Sequence, residues 1–110
     1  MKITINGKEW PVKITGTVGI AIYADNYAQA MGGNVSNSMM EQLTFYAALV
    51  LSNEDADDLP TFMQFVAHWK LEELQEFRKW FDAEWEALDP KPKPKKVEKP
   101  KKGEKKKGEG

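Results

Sequence analysis

Ser38-Met39-Met40-Glu41-Gln42-Leu43-Thr44-Phe45-Tyr46-Ala47-Ala48-Leu49-Val50-Leu51-Ser52 is the stretch on which the fold turns. Met39, Leu43, Tyr46 and Val50 recur at three- and four-residue spacing and make one helical stripe. Phe45 and Leu49 point elsewhere, and Met40, Ala47 and Leu51 fill a third side, so the helix is apolar almost all round. Such a helix is either wedged between other elements or keeps a face for a partner. Ser38 with Glu41 three residues on predicts a capping box at its start.

Upstream of this helix, Ile3 and Ile5 alternate with polar residues, Asn6-Gly7 is a strong hairpin signal, and Trp10, Val12 and Ile14 resume the alternation. Residues 2–15 therefore read as a β-hairpin, with Lys8-Glu9 available to lengthen the loop and Pro11 confined to an edge. A hairpin alone is marginal and needs helices on its apolar face. Thr17 is placed to cap a helix carrying Ile20, Tyr23, Ala24, Tyr27 and Met31 on one face, which Gly32-Gly33 ends.

Downstream, residues 53–58 form an acidic connector, and Asp58 before Leu59-Pro60 suits the start of a third helix. Phe62, Phe65, Val66 and Trp69 share a face. From Leu71 onward, Leu74, Phe77, Phe81, Trp85 and Leu88 fall within an arc of about 120°. The pattern leaves open whether residues 60–88 are one helix or two that break near Trp69-Lys70. The architecture expected is α+β, an N-terminal β-hairpin packed on a bundle of three to four helices.

After Asp89 the composition becomes Lys, Pro, Glu and Gly with a single Val97, which cannot build a core, so residues 1–89 read as one compact domain and 90–110 as a disordered tail. The formal net charge of −1 conceals an asymmetry. Residues 1–89 hold 6 Lys+Arg against 14 Asp+Glu, a net −8, and residues 90–110 hold 10 Lys against 3 Glu, a net +7. Opposite signs in body and tail imply an intramolecular contact or an anionic partner for the tail.

The residue types exclude most chemistry. With no cysteine there is neither a disulfide framework nor a thiolate zinc site. The single histidine, His68, adjoins the Phe65/Trp69 face and reads as a helix-surface residue, not as a base or metal ligand. The acidic run Glu54–Asp58 lacks the spacing and turn glycine of a calcium loop. No phosphate-cradling glycine loop occurs, so the expectation is a protein that is not an enzyme, with no cofactor and no metal. The first residues turn polar before an apolar run develops, and no run suffices to span a bilayer, which points to a cytoplasmic protein without membrane attachment.

Seven of the twelve aromatic residues lie between residues 62 and 85, most of them core. Trp80 sits about 60° beyond Phe77 among Glu73, Glu76 and Glu84, and either broadens the core stripe or anchors a partner. Phe45, Leu49, Trp80 and Trp85 are the candidate partner-binding residues. Self-association is a second use for such a surface. The Lys-rich tail admits a competing class, a small nucleic-acid-associated accessory protein, although it lacks the arginines and aromatic residues that favour base recognition.

The opening Ile3-Thr4-Ile5-Asn6-Gly7-Lys8-Glu9-Trp10-Pro11-Val12-Lys13-Ile14-Thr15, then Gly16-Thr17-Val18-Gly19 entering a helix, then the stretch from Asp57-Asp58-Leu59-Pro60 to Trp85, resembles the small tail assembly chaperones of long-tailed bacteriophages over about residues 1–88. The resemblance implies a non-enzymatic function: association with the long, aggregation-prone tape measure protein and recruitment of tail tube protein subunits. It implies action in the host cytoplasm and absence from the mature virion. Such proteins are often encoded with a programmed frameshift near the end of the short form, for which Lys95-Lys96, Lys101-Lys102 and Lys105-Lys106-Lys107 offer A-rich codons. It supplies no residue-level site.

Overall fold

The computed structural model describes residues 1–89. The expected disordered tail falls on residues 90–110, outside the described residues. The elements are β1 (Lys2–Ile5), β2 (Lys8–Pro11), α1 (Thr17–Ala30), α2 (Asn37–Ser52), α3 (Phe62–His68) and α4 (Leu71–Leu88), an α+β arrangement as expected.

β1 and β2 pair antiparallel with Ile3 opposite Trp10 and Ile5 opposite Lys8. That register leaves a two-residue turn: Asn6 and Gly7 both adopt positive φ, 54° and 80°, the conformation a type I′ turn demands. Lys8 and Glu9 thus belong to the ladder, not to a longer loop. The alternation is realised as burial, with Ile3, Ile5, Trp10, Val12 and Ile14 all inside. The ladder ends at Pro11, shorter than the expected 2–15, because residues 12–14 turn to the central helix. Ser52 Oγ accepts from the Lys13 amide (2.9 Å) and donates to the Lys13 carbonyl (3.1 Å), while Asn53 Nδ2 donates to the Pro11 carbonyl (2.9 Å).

Three helix starts differ from expectation. α1 is capped by Gly16, with Thr17 already its first residue. α2 is capped by Ser36, whose hydroxyl accepts from the Met39 amide, so Ser38 is helical and Glu41 is free for tertiary use. α3 starts at Phe62 behind a Thr61/Gln64 capping box, whereas Asp58 pairs with Lys8 at 2.8 Å. At α2 and α3 a neighbouring hydroxyl reaches the open amides in better register, whereas Gly16 caps α1 without a side-chain hydrogen bond. The end of α1 follows the sequence closely. Gly33 N–H bonds the Ala28 carbonyl and Gly32 N–H the Gln29 carbonyl, the pairing of a Schellman motif, with φ of 82° at Gly33 and 102° at Gly32 that glycine alone adopts freely.

α2 is the central element. Leu43, Phe45, Tyr46, Ala47, Ala48, Leu49 and Val50 are all buried, which resolves the two readings of its apolar surface in favour of the wedge. α1 covers one side with Ile20, Ala24 and Ala28, while Met31, expected on that face, is exposed beyond the last turn. Tyr27 and Tyr46 rings meet at 5.6 Å, and Tyr46 Oη donates to the Pro60 carbonyl at 2.6 Å. On the other side Phe45 meets Phe77 and Phe81 of α4 at 5.0 and 4.7 Å.

Residues 60–88 form two helices. Trp69 takes an extended conformation (φ −66°, ψ 130°), its indole N–H donates to Gln42 Oε1 (2.9 Å), and the Lys70 amide is capped by Glu73. Burying the Trp69 ring against Phe65 and Phe77 (5.4 and 5.2 Å) requires the chain to bend there. Among the described residues, no helix is long and apolar enough to cross a membrane.

Candidate functional site

A concavity of about 480 Å³ lies between α2 and α4. Its origin is the size of the residues that join these helices. Phe45, Phe77 and Phe81 stack edge-to-face and tilted, and aromatic rings of this size hold helix backbones apart. Phe45, Phe81 and Trp85 form the floor, with Trp85 stacked on Phe81 at 5.6 Å and 25° between planes.

The walls are acidic: Glu41 on α2, and Asp82, Glu86 and Asp89 on and just past α4. Glu41 is engaged by Arg78, whose guanidinium donates through Nε and a terminal NH2 at 2.7 and 2.8 Å. This two-bond fork ties α2 to α4 beside the groove and, with Asp82 one turn on, raises the Arg78 pKa further above its already high value. No ion pair among the described residues involves Asp82, Glu86 or Asp89. Thr44, also on the wall, spends its hydroxyl on the Met40 carbonyl (2.8 Å). The groove therefore offers a ring-lined floor to an apolar side chain and three carboxylates to cations beside it.

The four candidate residues are not brought together. Trp85 lines the groove and is half-buried. Phe45, 2% exposed, contributes its edge to the floor but is otherwise core. Leu49 is wholly buried and has no access to a partner, because α2 is covered on the side it was expected to offer. Trp80 is half-buried against Phe77 at 5.5 Å and lies outside the groove. The expected exposed face of α2 bearing Phe45 and Leu49 is thus corrected: α4 covers Phe45, and the accessible surface is the seam between the two helices.

Sequence reading missed Glu41, Phe81, Asp82, Glu86 and Asp89 as groove residues. The signal was present, since Asp82, Glu86 and Asp89 stand at i, i+4 and i+7 beside Phe81 and Trp85 at i and i+4. An acidic stripe flanking an aromatic stripe has the form of a binding edge as well as that of a solvated face.

A smaller hollow, about 200 Å³, lies where the first strand meets His68, Trp69 and Glu73. His68 is half-buried, its ring 4.1 Å from that of Trp69, with Nδ1–H donating to the Phe65 carbonyl. Burial lowers its pKa below the usual value, opposed by the Phe65 carbonyl and by Glu73. Among the described residues no group of three or more His, Asp or Glu side chains gathers to hold a metal ion. No protein-family model, curated protein or solved structure matches the chain.

Proposed function

We propose that the protein is a non-enzymatic tail assembly chaperone of a long-tailed bacteriophage. It binds and solubilises the tape measure protein in the host cytoplasm, helps recruit tail tube subunits, and leaves before the virion is complete. The observation that carries the binding role is the groove between α2 and α4, an aromatic floor of Phe45, Phe81 and Trp85 walled by Asp82, Glu86 and Asp89. A floor of rings with carboxylates along its edge suits an amphipathic client segment that presents apolar anchors with Lys or Arg beside them. The resemblance of residues 1–88 supplies the client's identity, and the net −8 of residues 1–89 favours a complex that stays in solution.

Co-expression of the full chain with the tape measure protein tests this reading. The wild-type chain keeps the client soluble; Trp85→Ala and Glu86→Lys lose that capacity while remaining folded by circular dichroism. Client that precipitates equally with and without the wild-type chain overturns the chaperone reading. Client held equally well by all three chains moves the site away from the groove.

The ten lysines of residues 90–110 favour a second reading, a nucleic-acid accessory protein. It requires affinity that falls steeply with salt. Binding to duplex or single-stranded DNA that survives physiological salt and vanishes when these lysines are changed to glutamine supports it over the first.

A further inference from the structure

The groove has a candidate occupant within the chain itself. We propose that the Lys-rich C-terminal segment, residues 91–107, folds back into the α2/α4 groove of its own molecule and shields it until a client displaces it. Three observations converge. The groove's carboxylates at Asp82, Glu86 and Asp89 are engaged in no ion pair among the described residues. Residues 91–107 carry 10 Lys against 2 Glu. The chain enters that segment from Asp89, itself a wall residue, so the cationic stretch is tethered at the mouth of the acidic site.

Geometry permits the return. α4, 18 residues long, spans about 27 Å. The 21 residues after Asp89 reach about 65 Å even in the stiff extended form that Pro90, Pro92 and Pro94 favour. The tether also sets a local concentration in the millimolar range, enough to hold a contact whose intrinsic affinity is weak. Val97, flanked by Lys95, Lys96 and Lys99, is the one aliphatic side chain of the segment and the one suited to the ring floor. A contact of this kind covers Trp85 and Phe81 when no client is present, and yields to a client with more apolar anchors.

The inference rests on the groove reading for its consequence only. Its test needs no client, so it can fail while the chaperone reading survives, and the reverse. Because the chain has no cysteine, Gly103→Cys in the full chain takes a single nitroxide spin label. The readout is paramagnetic broadening of amide resonances in a 15N-labelled sample at low salt. The expected result is at least a halving of intensity at Thr44, Asp82 and Glu86 and at the Trp85 indole. Asp25 and Asn26 on α1 stay sharp. The effect disappears in about 0.5 M NaCl, where the Debye length falls to a few ångströms, and in the Asp82→Lys, Glu86→Lys chain.

Absence of broadening at low salt overturns the proposal. So does equal broadening at the acidic connector 54–58, which marks diffuse attraction to negative charge. Broadening that appears when spin-labelled unenriched chain is mixed with unlabelled 15N chain also overturns it, since the occupant is then a second copy.

Discussion

Toward α1, the central helix meets a neighbour whose buried face carries two alanines, Ala24 and Ala28. Toward α4 it meets its neighbour through Phe45, Phe77 and Phe81. Small side chains let two backbones approach closely. Rings hold the backbones apart, pack well where they touch, and leave the space beyond the last ring open. The hollow that the same helix borders beside Ile20 of α1 is about 210 Å³, and the groove it borders at α4 is about 480 Å³.

Deleting volume should hurt the aromatic side most. Phe45→Ala removes the ring that touches both Phe77 and Phe81, and is expected to cost about 3–5 kcal/mol in urea unfolding. A loss below about 1 kcal/mol, the size of a surface change, would mean that α4 is not held as described. Adding volume should hurt the alanine side. Ala24→Leu, at a fully buried position, is expected to cost about 1–3 kcal/mol; a neutral outcome would show slack between α1 and α2 and erase the contrast.

The polar tie across the aromatic side is weaker. Glu41→Gln breaks a fork whose side chains are about one third exposed, so a loss of about 0.2–1 kcal/mol is expected, shrinking with added salt. A salt-insensitive loss would assign the effect to packing.

The smallest effects separate the two sides by pH. Burial, with the neighbouring Tyr23 adding, raises the pKa values of Tyr27 and Tyr46 on the α1 side above the usual 10.0. Their phenols lose protons more readily in the unfolded chain, so their contribution is complete below pH 10 and lost as pH rises. On the α3/α4 side, burial lowers His68 below 6.5. Protonation then favours the unfolded chain, and the contribution, complete above pH 6.5, is lost as pH falls through the folded value. His68→Gln should flatten the acid limb of a stability-versus-pH curve and leave the alkaline limb alone, and Tyr27→Phe should do the opposite. One variant moving both limbs would show that the sides are not independent.

The hairpin was legible because a period of two, a turn that needs two positive φ values and Asn6-Gly7 all agree locally. The end of α1 was legible because a pair of glycines has few other uses at that spacing. The Ser38 and Asp58 caps were misread because several nearby side chains can each satisfy the same amides and only the final path of the chain selects among them, and Thr17 was misread because α1 starts one residue earlier with no side-chain cap. The groove was half legible. Phe81 and Trp85 stood out as an aromatic stripe, but their acidic neighbours carried the same signature as a solvated face.

By itself, the sequence determined the order and type of the elements, the apolar character of α2 and the charge contrast between residues 1–89 and 90–110, because these depend on local pattern and composition. Tertiary structure decided which side of α2 borders the α4 groove, that the chain breaks at Trp69, and that Phe45 is buried while Trp85 borders that groove. Those outcomes depend on the sizes of side chains that meet from distant parts of the chain, and no local pattern encodes the volume left between them.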